Sequence, residues 1–136
     1  MIITDLLDLL TTGSVATKGT NLFGGDQMPD TPDAAVMVRP YGGFPQTLAF
    51  GATAGAVVLE TARVQVEVRD LTYPLARTTM EKVFQVLHNM QPRTINGVAY
   101  NWIHAVQPEP MPLGKDGSQR SRLTMNFEVL KSHSTG

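Results

Sequence analysis

Three histidines, His88, His104 and His133, are the side chains best suited to general-base or metal-ligand work near neutral pH. None has a second histidine or a carboxylate at ligand spacing, such as the His-x-x-x-His repeat that aligns two imidazoles on one helical face. His88 falls late in a helical pattern, where a cation suits the helix C-terminus. His104 alternates with Tyr100 and Trp102, and His133 sits in a polar tail. The chain has no cysteine, which excludes a disulfide framework, a thiol nucleophile and a cysteine-ligated zinc. Asp26, Asp30 and Asp33 stand among prolines without calcium-loop spacing and read as turn formers. Gly24–Gly25 and Gly42–Gly43 lack the features of a phosphate loop or a dinucleotide turn, and no Gly-x-Ser-x-Gly elbow occurs. The expectation is a non-enzyme with no metal and no cofactor.

Charge gives the next boundary. Lys and Arg number 11 against 12 Asp and Glu, so a formal net charge of −1 excludes bulk electrostatic binding of nucleic acid. The 136 residues, 42% hydrophobic and 17% charged, suit one globular domain spanning 1–136. No run reaches the ~18 apolar residues of a membrane span. The opening MIITDLLDLL carries Asp5 and Asp8 and no basic stretch, so it is a poor signal peptide. A soluble intracellular protein is expected, with no membrane partner.

These residues need elements to position them. Residues 2–12 repeat apolar side chains at helical spacing, and Gly13 and Ser14 stop the pattern. A short strand is expected at Asn21–Phe23 and a buried one at Ala35–Arg39, ended by Pro40 and the glycine pair. Residues 40–59 read as a long loop or arm. Within it, the sixteen residues 44–59 carry no charge, so this stretch is either buried in the monomer or covered by another subunit.

From Glu60 to Asp70 the alternation is clean: Ala62, Val64, Val66 and Val68 on one face, Arg63, Gln65, Glu67 and Arg69 on the other. A helix over Tyr73–Met90 follows, its apolar stripe turned to the valine face. Asn96–Gly97 predicts a type I′ hairpin between Arg93–Ile95 and Val98–Val106. Prolines 108, 110 and 112 make 107–119 a loop, Ser121–Lys131 a last strand and 132–136 a frayed tail. The fold class is therefore α+β: a mostly antiparallel sheet with one long helix packed on one face and a short N-terminal helix.

The polar strand faces hold Arg63, Glu67, Arg69, Arg122 and Glu128. Two readings stand: charge pairing across strands on a solvated face, or a mixed-charge face that meets an identical copy. Tyr100, Trp102 and His104 could instead wall a small-ligand pocket, the reading under which the chain is a ligand-binding domain or enzyme.

Several of these features together resemble the tail terminators, the small tail-completion proteins of long-tailed bacteriophages. They are the Pro29–Asp30–Thr31–Pro32–Asp33 loop after Leu22–Phe23, Val66–Glu67–Val68–Arg69, a helix opening at Tyr73, and the Asn96–Gly97 hairpin. Gly114–Lys115–Asp116 with Arg120 and Asn126–Phe127 completes the likeness. The resemblance implies a self-assembled ring, typically hexameric, at the head-proximal end of the virion tail after assembly in the host cytoplasm. Its implied partners are the major tail tube protein and a head–tail connector protein, with DNA only as cargo passing through the lumen. It implies no active site. Phe44, Leu48, Phe50, Arg63, Glu67, Arg69, Arg122 and Glu128 are the expected contact residues. A head–tail connector on the portal side is the alternative within virion assembly.

Overall fold

The computed structural model describes residues 2–25, 28–43, 58–88 and 90–133. In chain order the elements are α1 (Ile2–Thr12), β1 (Leu22–Gly24), β2 (Ala35–Gly43), β3 (Val58–Asp70), α2 (Tyr73–Leu87), β4 (Arg93–Ile95), β5 (Val98–Ala105), β6 (Met111–Lys115) and β7 (Ser121–His133). Seven strands form one sheet in the order β1-β2-β3-β7-β5-β4, with β6 also paired to β7. Among the described strands, β1 and β2 run parallel and the other pairings are antiparallel. No helix among the described residues is long and apolar enough to cross a membrane.

Alternation on β3 and β7 builds the core. Val64, Val66 and Val68 lie opposite Phe127, Met125 and Leu123, and all six are fully or almost fully buried. Val36 and Val38 of β2 extend this surface. Leu6, Leu7 and Leu10 of α1 and Ala76, Met80, Val83 and Leu87 of α2 close over it. Two helices therefore share the covering of one sheet face, where one long helix was expected to supply most of it.

Helix α2 starts with Thr72 as N-cap and Pro74 in its first turn, where a missing N–H costs nothing. It stops at Leu87, short of the expected Met90. His88 turns to an extended backbone (φ −71°, ψ 136°), stacks on Phe84 with ring centroids 4.5 Å apart, and its Nδ1 accepts the Ala105 N–H at 3.1 Å. That hydrogen bond draws the chain off the helical path. Met90 still reaches the core from beyond the helix.

Three other boundaries differ. Strand β2 continues through Pro40, because even-numbered residues of β2 direct their backbone groups toward β1, and β1 ends opposite Val38. Pro40 thus needs no N–H on that side. Residues 107–119 are not all loop: Met111–Lys115 forms β6, an edge strand that tolerates Pro112 and shifts register before Gly114, whose φ is +84°. Strand β7 runs on through Ser132 and His133, which were expected to fray, and residues 134–136 lie outside the described residues. Of the 40–59 arm, residues 40–43 and 58–59 are strand, and 44–57 lie outside the described residues.

Strands β5 and β6 lie end to end along one edge of β7, pairing with residues 127–131 and 121–124. At the join, the Val106 N–H donates to the Asn126 carbonyl and the Asn126 N–H donates to Gln107 Oε1 at 2.9 Å. A side-chain amide thus supplies the acceptor missing where the strand breaks.

Close approach of β1 to α1 depends on Gly24. A Cβ there would fall 2.6 Å from Ile3 Cγ2 and 3.1 Å from Leu7 Cδ1. Gly24→Ala is therefore expected to cost about 1–2 kcal/mol through overpacking. The measurement is the urea unfolding midpoint; an unchanged midpoint would mean that α1 moves aside freely.

Candidate functional site

The outward side chains of β2, β3 and β7 form a charged surface on the face opposite the helices. Glu67 is its centre, with a side chain only 5% exposed. Its carboxylate accepts from Arg39 Nη2 at 2.6 Å and from Arg122 Nε and Nη2 at 3.1 and 3.2 Å. Arg39 Nε donates to Gln65 Oε1 at 2.8 Å. The hydrogen bonds to Glu67 hold the Arg122 guanidinium above its ordinary pKa. Further along, Arg63 lies directly opposite Glu128 and donates to it at 3.1 Å, and His104 Nε2 is 3.0 Å from the other Glu128 oxygen. Trp102 stacks on that imidazole.

A second group walls one side of this surface. Buried Arg120 donates through Nε to Asp116 at 2.8 Å, through Nη2 to Asp30 Oδ1 at 2.9 Å, and through Nη1 to the Asp30 carbonyl at 2.6 Å. Asp33 Oδ1 lies 3.3 Å from the same Nη1. Burial pulls the Arg120 pKa down, but the bonds to Asp30 and Asp116 outweigh it and raise it. Asp116 accepts the backbone N–H of Arg120 and then that of Ser118, which holds its carboxyl below the usual carboxylate range. Arg69, also buried, donates to the Asp33 and Pro32 carbonyls at 3.1 and 2.5 Å. Burial, and then the nearby Arg120 charge, lower its pKa. Arg120 and Arg69 thereby fasten the Pro32–Asp33 segment and the Asp116 turn beside β3 and β7. Between these walls and the sheet lies a cleft of about 470 Å³.

The expected contact residues Arg63, Glu67, Arg69, Arg122 and Glu128 all lie on this face. Within the chain, Arg63 pairs with Glu128, Arg122 pairs with Glu67, and Arg69 holds backbone carbonyls. Phe44, Leu48 and Phe50 lie outside the described residues, as does Asp26. Asp30 and Asp33 do more than form turns, since both bind Arg120. Arg39 was missed because Ala35–Arg39 read as a wholly buried strand; placing it on the side opposite Val36 and Val38 would have found it.

The proposed pocket wall of Tyr100, Trp102 and His104 is overturned. A register shift between Tyr100 and Trp102 turns Tyr100 to the helix side with Ile103, while His104 faces Glu128 on the charged side. An extra residue reverses the alternation that the sequence pattern assumes. Tyr100 instead donates its hydroxyl to the fully buried Asp5, which also accepts from Asn96 Nδ2 at 2.7 Å. Burial, and then the Asp5 contact, raise the Tyr100 pKa well above its ordinary value. Among the described residues no group of three metal-ligating side chains converges.

A family model described as bacteriophage tail terminator protein matches residues 6–132. No curated protein matches the chain. Among solved structures, a chain in the virion of a native gene transfer agent (GTA) particle is similar in fold. Its TM-score is 0.62 at 10% sequence identity, over 97% of this chain and 95% of that one.

Proposed function

This chain belongs to the bacteriophage tail terminator family, and is thus a structural component of a phage-like virion, and from that premise we propose how it works. Copies of the chain close into a ring, six-membered as is typical of the resemblance. One axial face of the ring seats on the last layer of major tail tube protein and the other accepts no further tube subunit, so polymerisation stops. The capped end then offers the surface that a head–tail connector protein joins. Assembly takes place in the host cytoplasm, the ring ends at the head-proximal end of the tail, and DNA passes through the lumen only as cargo.

The family match over nearly the whole chain carries this reading. Two features of the molecule support it. Seven strands and two helices leave the charged face with no helix over it among the described residues, which leaves that face available to another protein. Large apolar side chains also stand outside the core, with Met111 53% and Leu113 45% exposed on edge strand β6. Of the proposed contact residues, Arg63 and Arg122 keep about a third of their side-chain surface (35% and 33%) and are the more accessible; Glu67, Arg69 and Glu128 support them from within. Phe44, Leu48 and Phe50 would add apolar contacts.

Electron microscopy of particles assembled without this protein tests the proposal. Tails of irregular length and heads lacking tails are expected. Tails of normal length joined to heads would overturn it.

A further inference from the structure

The charged cleft contains more donors than the chain uses. Arg39, Arg69 and Arg122 all line it. Each spends its Nε and Nη2 in the same way: Arg39 on Gln65 and Glu67, Arg122 on Glu67, Arg69 on the Asp33 and Pro32 carbonyls. In all three, Nη1 has no hydrogen-bond partner among the described residues. Arg39 and Arg122 therefore share one carboxylate, Glu67, while Arg69 hydrogen-bonds to backbone carbonyls and to no carboxylate; Asp30 and Asp116, the other acids of the lining, are held by Arg120. Guanidinium forks match carboxylate oxygens in geometry as well as charge, and the cleft volume is of the size that holds a few ligand groups.

We propose that this cleft binds a carboxylate-bearing peptide segment of a partner protein, the carboxylate entering among Arg39, Arg69 and Arg122. The distribution of charge selects the ligand class. Beside these three arginines, Arg120 holds Asp30 and Asp33, whose side chains stay 85% and 57% exposed. A duplex presents one phosphate charge per ~1.7 Å and would lay several against those side chains. A peptide places one carboxylate on the basic floor and can set a neutral or basic neighbour against the aspartates. The site is read from a single chain and stands whether or not the ring forms.

Side-chain Nε–Hε resonances of the arginines report binding directly. The probes are acetyl-Glu-Glu-Glu-amide, acetyl-Ala-Ala-Ala with a free terminal carboxylate, inorganic phosphate, and a 20-base-pair DNA duplex. Either peptide is expected to shift Arg39, Arg69 and Arg122 saturably, and the one that saturates first tells whether a side-chain or a terminal carboxylate is preferred. Arg122→Gln should weaken that binding at least five-fold; Arg39→Gln serves if the first variant does not fold. No saturable shift with either peptide overturns the proposal. So does phosphate binding as tightly as the peptides, or saturation by the duplex alone.

Discussion

Asp5→Ala is expected to destabilise the protein by about 3 kcal/mol, because it deletes a buried charged acceptor and strands the buried Tyr100 hydroxyl, while the exposed Asn96 amide keeps Asp8 as a partner. Asp5 is fully buried on α1 and receives both the Tyr100 hydroxyl and the Asn96 amide. Truncation leaves the phenol facing an apolar helix with no partner. Asp5→Asn, which keeps an oxygen acceptor, should recover part of the loss. Chemical denaturation of the three proteins measures it; a cost below about 1 kcal/mol for the alanine variant would mean that water replaces the carboxylate.

The same contact predicts a pH dependence. The Tyr100 pKa lies above its ordinary 10.0 in the folded chain, so the folded state keeps a proton that the unfolded state releases. The stabilisation is therefore full below pH ~10 and falls as pH rises beyond it, by about 1.4 kcal/mol per unit from this group. Tyr100→Phe should be less stable than the parent at pH 7 and lose stability more slowly above pH 10. Parallel pH profiles for the two proteins would remove Tyr100 as the source.

Glu67→Ala is the second large effect, expected at about 2–3 kcal/mol. Removing a buried carboxylate from between two arginines leaves their charges facing each other. The cost stays below that of a fully buried pair because Arg39 and Arg122 retain 26% and 33% of their side-chain exposure. Since the penalty is repulsion between partly solvated cations, raising the salt from 0.05 to about 0.5 M should recover part of it. A deficit that does not respond to salt would assign Glu67 to packing.

Legibility in the sequence followed how local the cause was. The valine alternation of β3 needs no partner to be recognised, and Asn96–Gly97, found at φ +50° and +80°, fixes its turn from two residues. The bulge beside Asn101 has no such sign: its cause is the register of β5 against β7, so Tyr100 was placed on the wrong face. Strand β6 was hidden because Pro112 argues against a strand everywhere except on an edge, and which edge exists depends on the whole sheet. The charged face was half legible. Period two placed Arg63, Glu67 and Arg69 together, but nothing local shows that Arg120 reaches back ninety residues to Asp30.

Strand β7 follows, in the chain, every strand that it pairs with: β3 on one side, β5 and β6 on the other. During synthesis at ~5–20 residues per second, about 3–13 s pass between the emergence of Asp70 and that of His133. Throughout that interval β3 has its β2 neighbour but an open second edge, with alternating valines beside it. An open edge of that kind can pair with the same strand of another nascent chain. The concentration of half-made chains, along with the stability of the finished domain, then bears on how much folded protein accumulates.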